Sequence, residues 1–158
     1  MDTSCRPSIC SCVKASYVEF QIEQQINRAG LGKHFHFTGL ISPADIPKTI
    51  SAMDILAHTS LREGLARALP QALLTGRPVV SFDVDGAREV CITDQTGILV
   101  DAKDVHGLQE AILTLAESTE LRNQYGMRGQ QMCKQMYSHE VMTDQIRLLY
   151  QNILSENS

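Results

Sequence analysis

The chain has no run of about eighteen or more apolar residues, so no transmembrane helix is expected. The stretch from Met1 to Cys12 lacks the apolar core of a secretory signal. Cytoplasmic residence is therefore the expectation. There is no excess of basic residues either: the formal net charge is -4, with no polybasic run. That argues against nucleic acid and against electrostatic docking on anionic lipid. Cysteine is too sparse and too unevenly placed for a framework. The count is five, an odd number without an export signal, so a disulfide scaffold is not predicted. Cys5, Cys10 and Cys12 cluster, but one C-x-C without a second pair does not meet the spacing of a zinc site, and no metal is expected. No internal repeat, low-complexity tract or long linker divides the chain.

What remains is ordinary globular material, 43% apolar and 20% charged over 158 residues, enough for one domain with its own core. Residues 1–16 are poorly patterned. Ile9 to Ala15 has the composition of a short strand but no glycine turn after it, so 1–16 is read as irregular or truncated and 17–158 as the folded domain. From Tyr17 the pattern is regular. Val18, Ile22, Ile26 and Ala29 recur at helical spacing, and Gly30 stands where a C-terminal cap belongs. His34–Thr38, Asp54–His58, Pro78–Phe82 and Ile98–Val100 read as strands. Ser42-Pro43 reads as one helix start and Leu65 opens another, stopped at Gly76. Three helical stripes follow Asp104, the second interrupted by Gly126 and Gly129 and the last capped by Ser138. Strands alternating with helices predict parallel pairing through right-handed crossovers. The expected fold is a Rossmann-like, three-layer α/β/α domain with His34–Thr38, Asp54–His58 and Pro78–Phe82 in one sheet. Ligands of such sheets bind beyond the carboxyl ends of the strands.

One strand-loop-helix junction carries the chemistry. Ser60-Leu61-Arg62-Glu63-Gly64-Leu65 sets a carboxylate and a glycine where a helix is expected to begin. A helix N-terminus presents unpaired N–H groups, and a glycine lets a phosphate approach the backbone. Glu63 is placed to accept hydrogen bonds from sugar hydroxyls. Gln71, eight residues on, lies roughly 10–12 Å further if the helix is continuous. That is about the span from a hexose across a pyrophosphate to a ribose.

This stretch, running on into Gly76-Arg77-Pro78-Val79-Val80, resembles the donor-binding signature of family 4 glycosyltransferases, the group 1 type with the GT-B fold. Phe37-Thr38-Gly39, Asp85-Gly86-Ala87-Arg88-Glu89-Val90 and Thr96-Gly97-Ile98-Leu99-Val100 match in the same order, and the resemblance extends from about Tyr17 to Leu154. It implies the C-terminal, donor-binding half of a retaining hexosyltransferase using a nucleotide-diphosphate sugar, with no cofactor or metal. In the family's pattern Glu63 binds the donor hexose, the backbone at Gly64 and Leu65 meets sugar or phosphate, and Gly39 and Leu40 flank the base. The residue that binds ribose is a second glutamate, and here that position is Gln71, an amide that loses the charge-assisted share of the bond. The family's basic pyrophosphate clamp, its glycine-rich turn and its N-terminal acceptor domain have no counterpart in this sequence. The hydroxyl acceptor, glycan or lipid-linked, would therefore come through a missing domain, and the complete enzyme would sit at the inner membrane face. Two other functions stand beside this one. The first is a non-catalytic nucleotide-sugar-binding fragment or gene remnant. The second, a receiver-like regulatory module, lacks the acidic cluster or phosphate loop it needs. An incomplete chain is also expected to expose apolar surface on its last helix and to self-associate. Arg62 and Arg67 read as surface charges rather than phosphate ligands, and His58 as a loop or half-buried histidine rather than a catalytic one, while Glu89 either orients the Gly86 turn or contacts the sugar.

Overall fold

The computed structural model describes residues 9–11 and 17–156. The chain divides into two compact units, one ending at Met53 and the other beginning at Asp54. The first contains strand β1 (Ile9–Ser11), helix α1 (Tyr17–Arg28), strand β2 (Phe35–Phe37) and helix α2 (Ile46–Ser51). The second contains β3 (Leu56–His58), α3 (Ala68–Leu74), β4 (Val79–Phe82), β5 (Gly97–Val100), α4 (Val105–Glu117), α5 (Thr119–Met136) and α6 (His139–Glu156). Every pairing of these strands is parallel.

The strands form two sheets. β2 pairs with β1, Phe35 opposite Ile9 and Phe37 opposite Ser11. The other sheet has the order β3-β4-β5. The expectation of one sheet containing β2, β3 and β4 is thus corrected. Ile9–Ser11 supplies the partner of β2, and Gly97–Val100 supplies the third strand beside β4. Within the 1–16 segment read as irregular, Ile9–Ser11 is a strand, and the rest lies outside the described residues.

β4 is the centre of the second sheet. All four of its residues are buried, so both of its faces are covered, as a parallel sheet requires. Val80 and Phe82 pack with Val100 of β5, Ala111 and Leu115 of α4 and Tyr125 of α5. Asp104 and Ser118 cap α4 and α5, their side chains accepting from Gly107 N–H and Leu121 N–H. Gly126 and Gly129 do not interrupt α5. A Cβ at Gly126 would meet the Gly76 carbonyl, and one at Gly129 would meet the Leu73 side chain, so these glycines let α5 lie close against α3. Gly30 and Gly76, at φ +69° and +75°, end α1 and α3. At each, the glycine N–H and the next N–H turn back to helix carbonyls: Gly30 to Asn27 and Leu31 to Ile26, Gly76 to Leu73 and Arg77 to Ala72.

Two helices begin later than their patterns predict, and proline is the reason both times. α2 starts at Ile46 and not at Pro43. Pro47 has no N–H, and its ring would press on the Pro43 carbonyl if both were helical, so it belongs in the first turn. Ser42 instead donates its hydroxyl to Asp45 Oδ2 at 2.8 Å in the turn that precedes the helix. α3 starts at Ala68 and not at Leu65. Pro70 cannot donate to Ala66, whose carbonyl accepts from Leu69 N–H at 3.0 Å. Glu63, Gly64 and Leu65 therefore sit in an irregular loop, and only Gln71 lies in α3.

Candidate functional site

The loop between β3 and α3 leaves the carboxyl end of β3, and the turn Asp85–Glu89 follows β4 on the same side of the parallel sheet. Between them is an open cleft of about 720 Å³, lined by Arg62, Glu63, Gly64, Leu65, Asp85, Gly86 and Glu89. This is where a parallel sheet is expected to hold a ligand. Two hydrogen bonds tie the walls together. Glu63 N–H donates to Asp85 Oδ2 at 2.9 Å. Gly86 N–H donates to the Gly64 carbonyl at 2.8 Å. Gly86 must be a glycine here, because a Cβ would stand 2.6 Å from the Gly64 carbonyl oxygen.

Gly64 is a glycine for a different reason. Its φ is not in the left-handed region, and a Cβ built on it has no atom within 4 Å. Neither backbone strain nor packing within the fold calls for glycine, and the space beside it opens on the cleft. Among the described residues, the N–H groups of Gly64 and Leu65 donate to no protein acceptor. The helix-terminus argument for these two donors is corrected by the late start of α3. They are loop amides, held by the Asp85–Gly86 turn rather than aligned by a helix dipole.

The charges of the cleft are mixed and mostly negative: Glu63, Asp85 and Glu89 against Arg62. Arg62, read as a surface charge, is exposed and yet lines the cleft. Arg67 is the exposed residue that precedes α3. Arg88 is engaged by Asp83, Nε to Oδ1 and Nη2 to Oδ2, both at 3.0 Å. Glu89 contributes its backbone as well, its carbonyl accepting from Tyr137 Oη–H at 3.4 Å. His58 ends β3 half-buried, with Nδ1 shielded from solvent and without a hydrogen-bond partner among the described residues. Burial pulls its pKa below the ordinary 6.5, and the Glu63 carboxylate opposes that in part.

The other sequence-predicted residues are not among those that line this cleft. Gln71 is half-buried in α3 and is not among the lining residues. Gly39, at φ +61°, and Leu40, 89% exposed, belong to the first unit. Asp85 was not singled out from the sequence as a site residue. The signal available was the Asp-Gly pair of a turn directly after a buried strand. Among the described residues no helix is long and apolar enough to cross a membrane.

The second unit thus has the architecture of a parallel α/β domain, with an open cleft at the carboxyl edge of its sheet. Residues 17–132 match the family described as glycosyl transferases group 1, and the chain belongs to that family. Phosphatidyl-myo-inositol mannosyltransferase from Mycobacterium leprae is 28% identical over 130 residues, 82% of this chain and 34% of that protein. The chain therefore spans about a third of that relative's length. The crystal structure of Anabaena Alr3699/HepE in complex with UDP-glucose is similar at a TM-score of 0.78 and 30% identity, over 86% of this chain and 37% of that one. The C-terminal domain of the group 1 glycosyl transferase LpcC from Francisella tularensis shares the fold, with a TM-score of 0.72 and 24% identity over 77% of this chain and 63% of that domain. The fold is that of the C-terminal half of a GT-B glycosyltransferase.

Proposed function

We propose that this chain is the donor-binding portion of a retaining hexosyltransferase and that the cleft between residues 62–65 and 85–89 receives a nucleotide-diphosphate hexose. The observation that carries the proposal is Gly64. It is a glycine with open space where a side chain would stand, beside an exposed carboxylate and two backbone donors without acceptors among the described residues. The space fits a ligand that comes close to the backbone. The Gly64 and Leu65 N–H groups suit a sugar or phosphate oxygen, and Glu63 suits hexose hydroxyls. The acidic lining favours the hydroxyl-rich sugar over the diphosphate near Glu63, Asp85 and Glu89. The UDP-glucose bound to the Anabaena relative supports the ligand class.

In the complete reaction the bond from the anomeric carbon to the diphosphate oxygen breaks, and the diphosphate keeps the electron pair. The acceptor hydroxyl oxygen bonds to the same face of that carbon, and its proton passes to the departing diphosphate. Residues of this chain would hold the donor so that its anomeric carbon faces the acceptor. Gln71 would meet the ribose. No metal is called for. Backbone donors would compensate charge on the leaving group, together with the basic residues that the family carries upstream. Positioning of donor against acceptor can contribute about 7–11 kcal/mol to such a reaction. That contribution needs donor and acceptor held together in one arrangement. Calorimetric titration with UDP-glucose and other nucleotide-diphosphate hexoses tests the proposal. Binding is expected, and Glu63→Ala is expected to cost about 1.5–3 kcal/mol, the worth of a hydrogen bond to a charged group. Equal affinities for the two proteins would refute the role of Glu63.

A further inference from the structure

Among the described residues, Asp85, Asp94 and Lys103 are the non-glycine positions with positive φ, and Asp85 stands at 45°. Of the three, Asp85 alone lines the cleft. A left-handed backbone is disfavoured for a residue with a Cβ and most easily adopted by glycine. An aspartate here needs a compensating interaction from its side chain, and the structure shows one. Its Oδ2 reaches Glu63 N–H, twenty-two residues away in sequence, at 2.9 Å. The next residue, Gly86, adds the bond to the Gly64 carbonyl. The remaining hydrogen bonds of 60–62 are local, between Ser60 and Arg62. Among the described residues, the bonds that reach 60–64 from outside the loop thus both come from Asp85 and Gly86.

Resting on the donor-binding reading of this cleft, we propose that Asp85 is a positioning residue. Its carboxylate fixes the backbone of Glu63, and so holds the Glu63 side chain and the Gly64 and Leu65 donors in their binding arrangement before the donor arrives. The carboxylate acts through the loop. Strain at a single left-handed residue is retained at sites where it sets up such an arrangement. Without the bond, the loop would order itself at the moment of binding, and affinity would fall by that cost.

Two substitutions separate the carboxylate from the backbone conformation. Asp85→Gly removes the acceptor and relieves the φ. Asp85→Asn keeps a side-chain oxygen in the same place and tolerates the same φ. Both are made in the 158-residue chain. Two readouts are taken: hydrogen exchange of the Glu63 amide without ligand, and calorimetry with UDP-glucose. Asp85→Gly should keep or raise the melting temperature, lose protection at the Glu63 amide, and bind UDP-glucose about tenfold more weakly, the scale of one hydrogen bond to a charged group. Asp85→Asn should restore most of the protection and the affinity. Full affinity in Asp85→Gly, unchanged exchange at Glu63, or no rescue by Asp85→Asn would each overturn the role. A wild-type chain that shows no affinity for UDP-glucose contradicts the donor reading instead. In that case the exchange readout still decides whether Asp85 organises the loop.

Discussion

Gly64 offers the cleanest separation of binding from stability, because its reason for being glycine lies outside the protein. Replacing it with alanine or valine puts a side chain into space where no protein atom lies within 4 Å of the Cβ, at a φ outside the left-handed region. The fold should accept the change. Removing a glycine from such a position lowers the freedom of the unfolded chain and stabilises by about 0.4–1 kcal/mol for alanine. A protein of this size changes its melting temperature by about 2–4 °C per kcal/mol. Gly64→Ala should therefore melt unchanged or slightly higher. The ligand is affected in the opposite sense. A donor that approaches the Gly64 backbone loses contact with the loop donors once a branched side chain stands there. One lost charge-assisted hydrogen bond is worth about 1.5–3 kcal/mol, at least tenfold in affinity. Gly64→Val should bind UDP-glucose at least about tenfold more weakly, with Gly64→Ala between it and wild type. Calorimetry and thermal denaturation on the same preparations read both quantities. Wild-type affinity in Gly64→Val would refute the reasoning, as would a drop of several degrees in Gly64→Ala.

Gly126 should behave in the opposite way: alanine there meets the Gly76 carbonyl between α5 and α3, so Gly126→Ala should destabilise by about 1–3 kcal/mol, and an unchanged denaturation midpoint would contradict that packing. His58 makes stability depend on pH. Its folded pKa lies below the ordinary 6.5, so the unfolded chain takes up the proton first, and stability should fall as pH drops below about 6.5 until the lowered folded value is passed. Urea denaturation between pH 7.5 and 5 should show a shallower decline in His58→Gln, and parallel declines would remove His58 from the account. Gln71→Glu should leave the fold intact and tighten nucleotide binding if the ribose lies against that residue; no gain by calorimetry would make position 71 a structural part of α3.

The strands and their direction were legible wherever burial is continuous. Val79–Phe82 is buried at every position and reads as a strand from its apolar run alone. Gly30 and Gly76 marked helix ends correctly, because the left-handed cap has few alternatives to glycine. Helix starts were harder. Ser42-Pro43 has good start chemistry and Leu65 opens an apolar stripe, but Pro47 and Pro70 set the beginnings later, since each must fall within a first turn. The apolar stripe does not show this, although the prolines do. Gly126 and Gly129 looked like interruptions because local propensity says nothing of a neighbouring helix; against α3 they are points of close approach. β2 found its partner in Ile9–Ser11, a segment whose period is too short to separate strand from irregular chain. Glu63 and Gly64 were singled out by their spacing and by the family resemblance, and both line the cleft. The Asp85-Gly86 turn was legible too, but not the bond of Asp85 to Glu63, which spans twenty-two residues and which no local pattern encodes. The exposed apolar residues of α6, among them Met142, Ile146, Leu149 and Ile153, match the expectation for the last helix.

The most direct test of the central claim is a backbone-amide NMR titration of the chain with UDP-glucose. The two walls of the cleft are separate in sequence and joined only in the fold, so a ligand between them must perturb both. Saturable shifts at Glu63, Gly64 and Leu65 together with Asp85, Gly86 and Glu89 are the predicted result. Saturable shifts confined to another surface, such as the groove of β5 and α4 lined by Asp101, Asp104 and Glu110, would contradict it.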